Sequence, residues 1–286
     1  MRVVIVSPHL DDGVLSLGGW IAARALAGDD VVVLTVCSEG DASYAERRAE
    51  DVAAVTSLGA AAVHLGVADA PFRRGAERSF RGLILAALED DDADAGRVIA
   101  AIVARVGELA ADTALLPLGV GEHVDHRIVH AAQARLAGRV GFYADRPYAD
   151  VRHAVRARLA RLGARVEAEA AERQRSEVVE REEGDALVAA FMASARAAAY
   201  VRAYVPERER EACLRPLAEP LRRPSPARGL ALVEQTHRLT AELRGRAARA
   251  VQMYASQVGD LFGGAAEAGS RYAADVSLRL YWRRDG

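Results

Sequence analysis

Arg2 to Val6 is a short apolar run that reads as a buried first strand, and Val14 to Leu26 is an amphipathic stretch that reads as a helix. Between them stands Ser7-Pro8-His9-Leu10-Asp11-Asp12, and this ordering constrains the chain more than any other feature. A loop leaving the carboxyl end of a first strand is where open α/β sheets bind ligands. A nucleotide site would place glycines here so that backbone amides could approach phosphate, whereas two carboxylates repel phosphate. An imidazole beside two acids points instead to a cation.

The chain repeats the strand-then-helix order. Val31 to Cys37 is a near-continuous β-branched run, Ala42 to Leu58 is helical with Gly59 as its stop, and Ala61 to Leu65 is a short third strand. Gly66 to about Arg81 reads as a loop above the sheet, and the acids of Glu89 to Asp94 lead into a helix from Arg97 to Leu109. Thr113 to Leu118 is a fourth strand, followed by a helix to about Leu136, and Gly141 to Tyr143 closes a fifth strand. This alternation predicts an α/β fold: a Rossmann-like three-layer α/β/α sandwich with a mostly parallel sheet. The 286 residues read as a single domain, 1–286, with a variable helical and loop region at about 150–240. Within it Arg152 to Glu183 is either an exposed helix or a strand followed by a helix, Leu187 to Tyr204 is helical, and the arginine- and proline-rich stretch Arg215 to Arg228 is a loop that could line a substrate entrance. Val233 to Phe262 reads as one long helix ended by Gly263-Gly264.

Composition excludes several function classes. A net charge of −2 argues against a nucleic-acid partner. No apolar run approaches the roughly 20 residues of a membrane span, and no secretory leader is visible, so the expected location is cytoplasmic, away from membranes. Cys37 and Cys213 make no disulfide framework, and Cys37 reads as core packing.

The second chemical stretch is Gly121-Glu122-His123-Val124-Asp125-His126. Two histidines three apart at a helix start can project toward one point, and they leave the fourth strand on the same sheet edge as His9, Asp11 and Asp12. Taken alone, each stretch has a plainer reading: the aspartates as helix caps, the histidines as surface residues. Together they deliver imidazoles and acids to one rim. Catalytic zinc is commonly held by three N/O ligands with a position left open. A His, an Asp and a second His would supply such a set.

Pro8-His9-Leu10-Asp11-Asp12 and His123-Val124-Asp125-His126 resemble the P-H-x-D-D and H-x-D-H signatures of the PIG-L-like (LmbE-like) zinc-dependent N-deacetylases. Lesser similarities run through Arg47-x-x-Glu50, His64-Leu65-Gly66, Tyr143-x-Asp145-x-Pro147-Tyr148 and Tyr254-x-Ser256-Gln257. The resemblance implies one Zn2+ per chain on His9, Asp12 and His126, although another divalent transition metal fits the same donors. It implies Asp11 as general base, His123 as stabiliser of the oxyanion and proton donor to the leaving amine, and Asp125 as the group that fixes the tautomer of His123 and favours its cationic form. Arg47 matches a position that contacts substrate hydroxyls in the family and Asp69 is read as a second such contact, although both read equally well as structural ion pairs. The implied activity is removal of an N-acetyl group from an amino-sugar-containing small molecule, an N-acetylated glycoside of secondary metabolism. Gly13 and Gly121 depart from other branches, and Ser7 to Asp12 with Asp69-Ala70-Pro71 is most similar to the glycopeptide-antibiotic sugar deacetylases of the teicoplanin type. The alternatives are an amidase on mycothiol-type thiol conjugates and a non-catalytic sugar- or nucleotide-binding module. A homo-oligomer is left open. His130 reads as a supporting or surface residue, and Trp282 either stacks on a sugar or anchors the C-terminus.

Overall fold

The computed structural model describes residues 1–73, 81–85, 92–151, 153–168, 186–187, 189, 205–222, 230–274 and 277–284. The first half alternates as expected: β1 (Arg2–His9), α1 (Asp12–Leu26), β2 (Asp30–Glu39), α2 (Tyr44–Ser57), β3 (Ala61–Ala68), the short α3 (Ala70–Arg73), α4 (Ala93–Glu108), β4 (Thr113–Pro117), α5 (Val124–Ala131) and β5 (Arg139–Tyr143). Then follow α6 (Ala154–Leu162), β6 (Arg165–Ala168), α7 (Arg210–Arg222), β7 (Ala231–His237), α8 (Ala241–Gln252), α9 (Ala255–Phe262), α10 (Ala265–Ala273) and β8 (Leu278–Arg283). All eight strands join one sheet in the order β3-β2-β1-β4-β5-β8-β7-β6. Every pairing is parallel except the two that β8 makes with β5 and β7.

Period-two alternation divides the core into two layers. Val4, Val6, Leu34, Leu116 and Phe142 face α4 and α5, while Val3, Ile5, Val33, Leu115 and Tyr143 face α1, α8 and α9. A sheet covered on both faces needs apolar side chains at consecutive positions, which is why β1 and β2 read as unbroken apolar runs. Local chemistry sets the helix starts. Asp92 Oδ1 caps α4 by accepting from the amides of Asp94 and Ala95, each at 3.0 Å, so this helix begins at Ala93, four residues before the position expected. Among the described residues no helix is long and apolar enough to cross a membrane.

The second half departs from the sequence reading in three places. The expected helix Val233 to Phe262 is a strand and two helices. Ala231–His237 pairs with both β6 and β8, and Thr240 caps a new helix by accepting from the Leu243 amide at 3.3 Å. The stretch from Arg215 is no loop as far as Arg222, because Leu214, Leu217 and Ala218 form a buried stripe on α7. Pro220 cannot donate to the carbonyl of Pro216 one turn earlier, and Arg161 Nη2 donates to that oxygen instead, at 2.8 Å. Residues 223–228 of that stretch lie outside the described residues, as does nearly all of the helix expected from Leu187 to Tyr204. In the described part of Arg152 to Glu183 a helix, α6, precedes a strand, β6, the reverse of the strand-then-helix alternative.

The lesser sequence similarities turn out to be braces. Asp51 is buried and accepts from Tyr254 at 2.7 Å and Thr35 at 3.1 Å, with His64 Nε2 at 2.9 Å. Glu50 takes both the amide and the hydroxyl of Ser256, at 2.8 and 2.6 Å. These bonds tie α2 and β3 to the start of α9, beneath the edge where β1 ends. Trp282 is also structural. It lies opposite Gly141 on β5, where a Cβ would come within 2.7 Å of its ring; Arg139 stacks on it at 4.1 Å and Gln235 accepts its indole N–H at 2.9 Å.

Candidate metal centre

Two loops at the carboxyl edge of the parallel strands build the site, one after β1 and one after β4. His9 ends β1. Asp11 and Asp12 follow in a tight turn in which the Asp11 amide donates to the His9 carbonyl at 3.0 Å and Asp11 takes φ of +156°. The turn swings the Asp12 carboxylate back over β1, where Oδ2 accepts from the His9 amide at 3.0 Å.

That same Oδ2 lies 2.9 Å from His9 Nδ1 and 3.1 Å from His126 Nε2. His9 and His126, 117 positions apart, therefore converge on one carboxylate oxygen. Ring nitrogens of His9, His123 and His126 lie within 4.8 Å of one another, which is the spacing of donors around a single ion. Asp12 and His126 are almost fully buried. Burial alone would push the Asp12 carboxyl up, yet the two imidazoles hold it well below the usual range. Burial likewise opposes charge on His126, but Asp12 and Asp145 outweigh it and carry its pKa to about 9. A site that gathers protons onto ligands in this way is electrostatically arranged for a cation, and the His, carboxylate and His donors suit zinc.

Asp145 is the residue sequence reasoning missed as a site group. It is fully buried, 2.6 Å from His126 Nδ1, and its other oxygen accepts from the amides of Gly119 and Val120 at 2.8 and 3.0 Å. One carboxylate thus orients a donor imidazole and shapes the loop carrying it. Its position two residues beyond the fifth strand was the available signal. Arg158 of α6 supports the same loop from below, donating to the Leu118 carbonyl at 2.8 Å and to Glu122 at 2.9 Å. Tyr148 stands edge-on to His126, ring centroids 5.7 Å apart, and fills the space beside Gly121.

The expected pairing of Asp125 with His123 does not form. Asp125 Oδ2 takes the Ala70 amide at 3.0 Å and lies 3.2 Å from His9 Nε2, while Oδ1 accepts from Arg73 at 2.6 Å. His123 touches Asp125 only through the backbone, its Nδ1 accepting from the Asp125 amide at 3.3 Å as the cap of α5. Burial, reinforced by the charge of His9, pushes the pKa of His123 down to about 3, with Asp125 opposing the fall. The physical reason is local. A helix cap turns Nδ1 toward the backbone, so the carboxylate two residues on is left to other partners.

Arg47 and Asp69 border this cluster. The Arg47 guanidinium stacks on the Tyr44 ring at 4.6 Å, with its charge beside Asp11 and Asp69. Asp69 accepts from the Tyr44 hydroxyl at 2.5 Å and lies 3.5 Å from His9 Nε2. His130 donates from Nδ1 to the Pro117 carbonyl at 3.0 Å, in the core. Cys37 is buried and its thiol is pushed well up by burial. Cys37, His9 and Asp125 also lie close enough to share an ion, but the Arg73 guanidinium already stands there, 3.9 Å from the sulfur.

Residues 4–137 match the family model described as PIG-L: GlcNAc-PI de-N-acetylase. The 2'-N-acetylparomamine deacetylase of Streptomyces fradiae is 34% identical over 172 residues, a match spanning 54% of this chain and 60% of that protein's length. A crystal structure of the deacetylase of the teicoplanin biosynthesis pathway superimposes with a TM-score of 0.61 at 20% identity, covering 100% of this chain and 99% of that one. The zinc-inhibited form of teicoplanin deacetylase gives 0.60 at 19%, with the same coverage. At such identities these two likenesses speak for the fold alone.

Proposed function

We propose that this chain, whose residues 4–137 match the PIG-L family model, is a zinc-dependent N-deacetylase acting on an N-acetylated amino-sugar glycoside of secondary metabolism. The observation that carries the reading is the Asp12 oxygen bracketed by His9 and His126 at the carboxyl edge of the sheet. The resemblance of the paired signatures to deacetylases supports it, and so does the deacetylase activity of the S. fradiae relative.

His9, Asp12 and His126 would hold the cation. Bound there, it supplies Lewis-acid polarisation of the amide carbonyl and lowers the pKa of a water. Asp11, whose charge lies beside the Arg47 guanidinium, acts as the base that takes the proton of the attacking water. Neutral His123, with Nδ1 engaged by the Asp125 amide, carries its proton on Nε2 and offers it to the oxyanion as a hydrogen-bond donor. Arg47 and Asp69, at the rim, contact sugar hydroxyls. As the C–N bond breaks, protonated Asp11 passes that proton to the departing nitrogen, and the products are acetate and a free amine.

The test is acetate release from a panel of N-acetylated glycosides, before and after treatment with a chelator and after zinc is restored. Chelator-sensitive, zinc-restored release from at least one glycoside is expected. Chelator-indifferent release, or none from protein with bound zinc, would reject the assignment.

A further inference from the structure

We propose that Asp125, locked by Arg73, is the positioning group for the metal donor His9 and not for His123. The inference rests on the reading that His9, Asp12 and His126 hold the cation. His126 turns Nε2 to Asp12 and Nδ1 to the buried Asp145. His9 turns Nδ1 to the same Asp12 oxygen and Nε2 to the buried Asp125, with Asp69 as a further acceptor on that side. The two imidazoles therefore share one arrangement: one nitrogen at the corner where the donors meet, the other on a carboxylate. Each carboxylate is in turn fixed by backbone, Asp145 by the amides of Gly119 and Val120, Asp125 by the amide of Ala70. Among the described residues no carboxylate is bonded to the His123 ring, whose Nδ1 accepts from the Asp125 amide as a helix cap.

Arg73 completes the arrangement. Its Nη2 donates to Asp125 Oδ1 at 2.6 Å, its Nε to Asp94 at 2.6 Å and its Nη1 to the Ala68 carbonyl at 2.8 Å. A guanidinium anchored on three sides fixes Asp125 as an anion. An anion facing Nε2 keeps the proton on that nitrogen, which leaves the lone pair of Nδ1 for the cation. Asparagine cannot reproduce this, because its single acceptor oxygen can serve Arg73 or His9 but not both.

The experiment compares wild-type protein with Asp125→Asn and Arg73→Met, each stripped of metal and titrated with zinc against a chromophoric chelator at neutral pH. Both variants are expected to bind zinc about 10–100-fold more weakly than wild type. Wild-type affinity in Asp125→Asn, with a fall in zinc-saturated turnover, would assign Asp125 to His123 and overturn the proposal. If Asp125→Asn does not fold, Arg73→Met decides alone, and undiminished zinc affinity there overturns it equally. Wild-type protein that binds no zinc would instead reject the metal reading itself.

Discussion

Asp145→Asn separates the structural from the chemical duty of one buried group. Asp145 accepts three hydrogen bonds, from the amides of Gly119 and Val120 on one oxygen and from His126 on the other. An asparagine must choose. Turning its NH2 toward the two loop amides leaves two buried donors facing a donor, at about 1–3 kcal/mol each. The other orientation keeps both loop bonds and presents NH2 to His126 Nδ1, so the imidazole proton moves to Nε2, the atom that faces Asp12. That orientation is cheaper, so the loop should stay folded while His126 loses the lone pair it offers a cation. Recovering that lone pair means reversing the choice, and the expected loss of zinc affinity is about 10–100-fold, or about 1.4–2.7 kcal/mol. Calorimetric zinc titration of stripped protein measures the loss, and urea unfolding checks that the fold is retained. Wild-type zinc affinity in a folded Asp145→Asn would refute the reasoning.

Asp11→Asn should retain zinc and lose turnover by about 100- to 10,000-fold; unchanged acetate release would remove Asp11 from the general-base role. Gly121→Ala should destabilise the fold by about 1–3 kcal/mol in thermal unfolding, since φ is +87° and the new Cβ would lie 2.6 Å from the Tyr148 ring. An unshifted transition would mean that the loop moves freely at that point. Buried His130, near Arg158, has its pKa pushed down to about 3 from 6.5. The unfolded chain therefore takes a proton the folded chain refuses, so stability is lost as pH falls below about 6.5, by about 2 kcal/mol at about pH 5. Urea unfolding of wild type and His130→Gln at both pH values should show that much less acid sensitivity in the variant.

The first half of the fold was legible because burial on both faces forces apolar residues into continuous runs, and β1 to β5 carry them. The meeting of the loops that carry His9, Asp12 and His126 was legible because strand ends sit at a common edge in such a sheet, whereas the choice of those three as cation ligands came from the family resemblance. The second half was not. β7 runs into Thr240-Ala-Glu-Leu without a glycine or proline break, so strand and helix merge into one apparent helix. The prolines of α7 read as loop because the replacement donor, Arg161, lies 55 residues away in sequence. The partner of Asp125 was misread for a similar reason. The family resemblance implied a pair with His123, whereas Ala70 and Arg73 on α3 hold the carboxylate. Asp145 stood within the similarity Tyr143-x-Asp145-x-Pro147-Tyr148 but went without a role, because the imidazole it faces belongs to another loop.

Crystals soaked in zinc and recorded at the zinc absorption edge test the central claim most directly. A single anomalous peak within bonding distance of His9 Nδ1, Asp12 and His126 Nε2 is the expected result. A peak that leaves any of those three side chains out, or none at that corner, would contradict it.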